Sequence, residues 1–269
     1  MQDTVRIGCV PYLCSKVLIH SMGTEGPGYT VVFDSPANLV TGLREGRLDV
    51  ALVPAIEFFL RPGYVILPDM SINTRLEAWS VRLFVKRDMD IRKIRRVALD
   101  PRSVMSNALL KVLLAKRHGL SGVEYTFPPE GCDPASDASV DAFLKIGDAG
   151  LTLNDRRFQA VDLGEEWWNF ARLPFVFAVW LARAGADLGG VDKRLLMSKR
   201  DGLRQTEKLA QQYGVPLGLT ERKAMEYIGR IIGYDLSNVE LGGLKTFYRY
   251  AVQMGLAEEG KEFAFYNRT

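Results

Sequence analysis

The feature that most constrains the fold of this sequence is a strand–helix–strand pattern that occurs near the N-terminus and restarts near residue 97. The first copy has a β-branched run over residues 5–10, a helix pattern over 38–45 and a second apolar run over 48–53. Short apolar strands that alternate with helices are typical of a parallel sheet with crossover helices. The sequence therefore predicts an α/β fold.

The second copy indicates a second lobe with its own sheet. An outgoing strand is expected over 79–85, a returning apolar strand over 175–181, and a helical C-terminal region with helix starts at Thr220 and Ser237. We expect one lobe from residues 1–85 plus 182–269 and the other from 86–181. Two hinge crossings would then join the lobes, with a ligand cleft between them.

Strand ends and helix N-termini would lie on either side of this cleft. Free N–H groups and helix dipoles at such positions favour anions. The expected ligand is a small anionic molecule, and a carboxylate suits the site.

Charge and composition exclude several classes of protein. The net charge of +3 arises from 35 basic and 32 acidic residues spread along the chain, so no general field for nucleic acid is expected. The basic run over 86–96 is either a solvated segment or a local patch for an anion or RNA. With 47% apolar residues and no long apolar segment, no membrane contact is expected. The sequence leaves the oligomeric state open.

The cysteines and the N-terminus favour a cytoplasmic protein. Cys9, Cys14 and Cys132 cannot all pair with one another and lack zinc or C-x-x-C spacing. The opening residues lack the features of a secretory signal or a membrane anchor. A reducing compartment fits both observations.

A turn after the first strand is one candidate ligand contact. It contains Tyr12, Cys14, Ser15 and Lys16 at the carboxyl end of a predicted strand. Ser15 either caps a following helix or contacts a ligand, since serine is a common N-cap. Lys16 adds a positive charge, and the side chains of Tyr12 and Cys14 are expected to face whatever the turn faces.

A second turn of this kind opens the other lobe. Arg102 stands beside Ser103 and Ser106, which are three residues apart at a helix start. Hydroxyl, backbone and guanidinium groups in this arrangement suit one carboxylate, although a serine here is also an ordinary cap. Ser80, at the start of a matching strand, is a further expected substrate contact.

Asp148 follows a predicted buried strand in a turn, Gly-Asp-Ala-Gly. It either acts as a base, orients a ligand hydroxyl or caps the next segment, because aspartate is common in turns. The two histidines, His20 and His118, lie in helical patterns away from any nucleophile. No metal site, G-x-G-x-x-G or Walker motif is found, so no metal or cofactor is expected.

Several stretches of the chain resemble the chorismate dehydratase family of the futalosine route to menaquinone. The most specific is DLGEEW followed by LPFVFAVW, and the matching stretches follow the family's order over nearly the whole chain. They are RIGCVPYL at 6–13, LREGRLDVALVPAIEF at 43–58, SVRLF at 80–84, VALDPRSVMSNALLKVLL at 97–114, IGDAGL at 146–151, residues 162–180 and residues 234–256.

The resemblance implies a type II periplasmic-binding-protein fold used as a cytoplasmic enzyme without a cofactor. The implied reaction converts chorismate to 3-[(1-carboxyvinyl)oxy]benzoate and water, a carbon–oxygen lyase step. Serines Ser15, Ser103 and Ser106 would anchor carboxylates, and Asp148 or the substrate's own carboxylate would handle the proton. Cys14 and Asp148 are thus the candidate catalytic positions.

One position departs from the family pattern. Cys14 stands where the family usually has asparagine, and Val17 where it has proline. Cysteine is only a weak hydrogen-bonding substitute for an amide. The alternative function is therefore a non-catalytic paralogue that binds a small aromatic carboxylate. A third possible function is that of the sister enzyme, dihydroxynaphthoate synthase. No histidine is placed for that chemistry, which argues against it.

Overall fold

The protein, seen in a computed structural model that describes residues 4–267, contains two mixed β-sheets. The strands are β1 (Val5–Cys9), β2 (Glu25–Gly26), β3 (Tyr29–Phe33), β4 (Val50–Pro54), β5 (Tyr64–Thr74), β6 (Val81–Lys86), β7 (Arg96–Ala98), β8 (Glu124–Thr126), β9 (Ala142–Ile146), β10 (Phe158–Asp162) and β11 (Phe175–Arg183). The first sheet has the order β2-β3-β1-β4-β11-β5, and the second has the order β10-β6-β9-β7-β8.

The predicted parallel pairing is present in the interior of each sheet. Strand β1 pairs in parallel with β3 and β4, and β7 pairs in parallel with β8 and β9. Antiparallel strands complete both sheets, since β11 runs against β4 and β5, and β6 runs against β9 and β10. The predicted α/β fold with two sheets is thus confirmed.

Helices cover the sheets and connect their strands. They are α1 (Pro36–Arg44), α2 (Glu57–Leu60), α3 (Val104–Val112), α4 (Gly147–Thr152), α5 (Leu163–Ala171), α6 (Val191–Arg204), α7 (Thr206–Leu209), α8 (Glu221–Glu226) and α9 (Asn238–Gln253). The predicted starts at Thr220 and Ser237 are confirmed, because each of these side chains caps the helix that follows it. Ser237 forms a capping box with Glu240.

The expected lobe boundaries differ from the boundaries between the sheets. Strand β6 was expected to leave the first lobe, but it pairs with β9 and β10 in the second sheet. Strand β11 was expected in the second lobe, but it lies between β4 and β5 in the first sheet. The chain crosses from the first sheet to the second between β5 and β6, at residues 75–80, and returns between β10 and β11, at residues 163–174. Each of the two strands therefore lies after its crossing, because its pairing partners belong to the sheet that the chain has just entered.

Two local predictions around the cleft were wrong. The helix expected from Ser15 is a short 3-10 turn, Leu13–Val17, in which Ser15 is an interior residue rather than the cap. The Gly-Asp-Ala-Gly segment was expected to be a turn, but it forms α4. Gly147 permits this start because its φ is +62°, a conformation that other residues rarely adopt.

Apolar side chains fill the space between the sheets and the helices. Leu39 and Leu43, which lie four residues apart on one face of α1, are each 1% exposed. Trp167 is fully buried and packs edge-on against Phe175 and Phe247. Within the described residues no helix is both long and apolar enough to span a membrane.

Candidate active site

A cleft with an empty volume of about 600 Å³, including its open mouth, lies where the two sheets face each other. The turn after β1 and the strands β4, β5 and β11 supply one wall, and the starts of β6, α3 and α4 supply the other. The lining residues are Val10, Tyr12, Cys14, Pro36, Leu52, Val53, Pro54, Ile72, Ser80, Val81, Ser103, Met105, Ser106, Ile146, Gly147, Phe177, Ala178 and Ile232.

The polar groups of the lining are few and uncharged. Five of the candidate site residues line the cleft, namely Tyr12, Cys14, Ser80, Ser103 and Ser106, and apolar side chains form most of the rest. Such a site, apolar with a few convergent polar groups, is typical of small-molecule pockets. Among the described lining residues none carries a charged side chain.

Ser103 and Ser106 join the helix start to the cleft. Ser103 Oγ caps α3 by accepting a hydrogen bond from Ser106 N at 3.2 Å, and it lies 2.9 Å from Ser106 Oγ. Both serines are buried and line the cleft, so capping and ligand contact are compatible here. Their hydroxyls, beside the free N–H groups of the first turn, form a neutral site suited to a carboxylate.

Cys14 enters the cleft as a neutral thiol. Burial, together with the nearby charge of Asp148, raises its pKa to about 12. Burial likewise raises the pKa of Tyr12 to about 12, although the charge of Arg102 opposes that change. Both side chains are therefore protonated at neutral pH and present hydrogen-bond donors.

Ser15 and Lys16 lie outside the lining. Ser15 is fully buried, with Oγ 2.5 Å from Val10 O and 2.7 Å from Tyr12 O, so its hydroxyl holds the turn rather than a ligand. Lys16 Nζ lies over the rings of Phe33 and Tyr213, 4.5 Å and 5.1 Å from their centroids. Neither residue lines the cleft, and their contact with a substrate stays a prediction.

Arg102 and Asp148 also lie outside the lining. Arg102 forms an ion pair with Asp100 at 2.7 Å, and its positive charge acts on Tyr12 in the cleft. Asp148 Oδ1 accepts a hydrogen bond from Leu13 N at 3.0 Å. Because Leu13 belongs to the first wall and Asp148 to the second, this bond joins the two sides of the cleft. Burial raises the pKa of Asp148.

Several lining residues were not anticipated from the sequence. Phe177, Ile72 and Ile232 supply apolar surface, and Pro36 begins α1 at the rim. Phe177 lies within the apolar run that predicted β11. The pattern therefore predicted the strand, but it did not predict that the Phe177 side chain faces the cleft. The sequence offered no signal for Ile232, which follows a helical segment far from either predicted turn.

Comparison with known sequences bears on this cleft. The profile of the family described as "Menaquinone biosynthesis" matches residues 5–253. The chain belongs to the menaquinone biosynthesis family. It is also 30% identical to the chorismate dehydratase of Thermus thermophilus over 261 residues, which cover 90% of this chain and 93% of that protein.

Solved structures similar to this family member share its fold. A protein from Archaeoglobus fulgidus has a TM-score of 0.74 at 19% identity and covers 94% of this chain and 98% of its own. The alkanesulfonate-binding protein SsuA from Xanthomonas axonopodis pv. citri, bound to MOPS, has a TM-score of 0.68 at 16% identity with 96% of each chain covered.

A third solved structure identifies the fold by name. A Candida albicans protein described as having the generic periplasmic binding protein fold has a TM-score of 0.65 at 12% identity, with 96% of this chain and 92% of that chain covered. At such identities the likeness concerns the fold alone. The expected periplasmic-binding-protein-like fold is therefore confirmed for this member of the menaquinone biosynthesis family.

A single carboxylate ties the two crossings of this family member together. Asp162, at the start of α5, accepts hydrogen bonds from Ala78 N at 2.9 Å and Trp79 N at 2.6 Å in the first crossing. It also accepts bonds from Gly164 N at 2.8 Å and Glu165 N at 3.2 Å in the second. Because Ser80 follows Trp79 directly, these hydrogen bonds to Asp162 also fix the position of a serine that lines the cleft.

Proposed function

We propose that this protein is a chorismate dehydratase that forms 3-[(1-carboxyvinyl)oxy]benzoate and water, within the futalosine route. The observation that carries the proposal is the cleft of neutral donors, with Ser103 and Ser106 at a helix start on one wall and Tyr12 and Cys14 on the other. Its family membership and the 30% identity to a chorismate dehydratase support the choice of substrate.

The proposed chemistry needs the protein mainly to orient its substrate. A proton leaves C3 of the ring, the hydroxyl leaves C4 as water, and the ring becomes aromatic. Ser103 and Ser106, with the N–H groups of the first turn of α3, would hold a carboxylate. Holding the reacting groups in a productive geometry contributes much of such an acceleration.

The proton acceptor we propose is a carboxylate of the substrate itself, the one of its two carboxylates that Ser103 and Ser106 do not hold. Asp148 is a carboxylate close to the lining on the second wall, but its Oδ1 accepts the hydrogen bond from Leu13 N. We assign Asp148 the role of holding the turn that carries Tyr12 and Cys14. The neutral lining would leave the substrate carboxylate unpaired by cations, which keeps it basic.

A binding protein without turnover remains the second candidate because Cys14 lines the cleft. A thiol with a pKa near 12 is a weak donor and a poor acceptor, unlike the amide usual in the family. In this case chorismate or a related aromatic carboxylate would bind between the walls and leave unchanged.

Turnover of chorismate by the unaltered protein and by a Cys14→Asn variant separates these candidates. We expect the aromatic product from both proteins, with the rates within about tenfold of each other, because a single neutral hydrogen bond contributes only about 1 kcal/mol. Chromatography of the reaction mixture measures the product, and Cys132→Asn, at an exposed cysteine outside the cleft, is the matched control. Product from the variant alone would identify the natural chain as the binding protein.

Substitution of Asp148 tests whether it moves a proton or holds the turn. Asp148→Asn keeps an acceptor for Leu13 N, so we expect turnover within a fewfold of the unaltered protein. Asp148→Ala leaves that N–H without its partner and is expected to cost about 1 kcal/mol of unfolding free energy. Loss of turnover by a factor of about 100 in Asp148→Asn would instead make Asp148 the base.

The pH dependence of unfolding is an independent test of the environment of Asp148. Because burial raises the folded-state pKa of Asp148, its stabilising contribution is present below the ordinary value near 3.8 and is lost as pH rises through the raised value. Because asparagine does not ionise, the Asp148→Asn variant does not lose stability in this way as the pH rises. We therefore expect urea titrations to show a stability difference in the variant's favour that grows from acidic to neutral pH.

A further inference from the structure

Two consecutive residues of the first wall meet two consecutive residues of the second wall across the cleft. Leu13 N donates a hydrogen bond to Asp148 Oδ1 at 3.0 Å. Beside this bond the ring of Tyr12 lies against Gly147, so that a Cβ added at Gly147 would come within 2.8 Å of Tyr12 Cε1 and 2.9 Å of Tyr12 Cδ1. Atoms in a packed protein do not approach so closely. The ring therefore occupies the space that a side chain at position 147 would need.

The inner side chains of the cleft have little contact with solvent. Met105 is 1% exposed, Ile146 is 5% exposed and Cys14 is 6% exposed, although all three line the cleft. Tyr12 is a lining residue that is only half-buried, so its ring lies near the solvent. A ligand that contains an aromatic ring can reach the inner side chains only if the two walls move apart.

We infer that the contact of residues 12–13 with residues 147–148 holds the two walls together and must part for a ligand to enter or leave. Gly147 suits this role because its φ of +62° begins α4 and because its missing side chain leaves room for the Tyr12 ring. Both parts of the contact exist only while the walls are together, so each part favours the closed state over the open one. The inference goes beyond the proposed function, since it concerns passage into the cleft whatever ligand binds there.

The three cysteines provide a measure of opening that needs no ligand. Cys14 is buried and lines the cleft, Cys132 is exposed, and Cys9 is fully buried in β1 and is not among the described lining residues. Alkylation by iodoacetamide requires an accessible thiolate. Cys132 should therefore react fast, Cys14 at a rate set by opening of the cleft, and Cys9 only when the protein unfolds. Mass spectrometry of the digested protein measures all three rates in one sample.

Gly147→Ala is expected to raise the alkylation rate of Cys14 about tenfold, because the added Cβ does not fit while the Tyr12 ring is in place. The strain of an alanine at positive φ is present in the open and the closed state alike, so it does not change their balance. Gly131→Ala is the matched control, with a φ of +76° and no atom of the described residues within 4 Å of the added Cβ, and should leave the rate unchanged. Asp148→Ala removes the neighbouring hydrogen bond and should raise the rate about fivefold.

Substitution of Tyr12 tests whether its ring is the cause. In a Tyr12→Ala background, Gly147→Ala should change the alkylation rate of Cys14 by less than about twofold, because the added Cβ then meets no ring. Tyr12→Phe keeps the ring, so Gly147→Ala should retain its full effect in that background. An equal effect in all three backgrounds would overturn the inference. So would a Cys14 that reacts at the rate of Cys9, or at the rate of Cys132, in the unaltered protein.

Alkylation in the presence of chorismate separates this inference from the proposed function. If chorismate binds between the walls, it should slow the reaction of Cys14 in the unaltered protein and leave that of Cys132 unchanged. A lack of protection would count against the proposed function. The inference itself is decided by the rates measured without ligand, so it can fail while the proposed function holds, and the reverse.

Discussion

Replacing Asp162 by alanine is expected to lower the free energy of unfolding by about 4 kcal/mol, because four backbone N–H groups lose their acceptor together. Two of these groups belong to Ala78 and Trp79 in the first crossing. Trp79 has a φ of +58°, a conformation that is costly for a non-glycine residue and that the bond to Asp162 maintains. Urea titration followed by tryptophan fluorescence measures the loss.

Two further variants identify the cause of that loss. Asp162→Asn retains one acceptor oxygen and should fall between the alanine variant and the unaltered protein. Asp90→Ala removes an aspartate that also caps a short 3-10 turn, Ile91–Lys93, but in solvent, and should change stability little. Equal stability of Asp162→Ala and the unaltered protein would show that the hydrogen bonds to Asp162 do not hold the two crossings together.

Two adjacent glycines of α9 are expected to respond in opposite directions to the same substitution. A Cβ at Gly243 would lie 2.0 Å from Pro174 O, a backbone atom in the second crossing that also accepts from Trp167 Nε1 at 3.2 Å. A Cβ at Gly242 would meet no atom within 4 Å. We expect Gly243→Ala to destabilise by about 3 kcal/mol and Gly242→Ala to stabilise by about 0.5–1 kcal/mol.

Thermal unfolding of both variants checks this difference. The helix propensity gained is the same at the two positions, so the comparison isolates the contact between α9 and the second crossing. A loss of stability in both variants would mean that α9 resists any added side chain. A gain in both would mean that α9 moves away from Pro174 at little cost.

The sequence predicted the strands whose apolar character is continuous, and it failed where pairing is set by distant residues. The runs at 5–10 and 48–53 became β1 and β4 within a few residues. The sheet that β6 and β11 join could not be predicted, because their partners, such as Ile146 for Val81, lie far along the chain. Local pattern indicates a strand but does not choose its neighbours.

The candidate site was predicted in outline for a similar reason. Turns at the carboxyl ends of strands brought Tyr12, Cys14, Ser103 and Ser106 to one cleft, as the rule for α/β sheets implies. Which side of each turn faces the ligand depends on the local hydrogen bonds. Ser15, for example, lies outside the lining, and its hydroxyl is within hydrogen-bonding distance of two carbonyl oxygens in and beside its own turn.

The position of β11 between β4 and β5 has a consequence for how the chain is made. The second sheet is complete once residue 162 has been synthesised, whereas the first sheet lacks a central strand until residue 183. During synthesis the unpaired edge of β4 must wait for a strand from more than 120 residues later, as Ala51 pairs with Leu181. If the second sheet folds on the ribosome before the first, the unpaired edges of β4 and β5 are places where a nascent chain is open to chaperones or to misassembly.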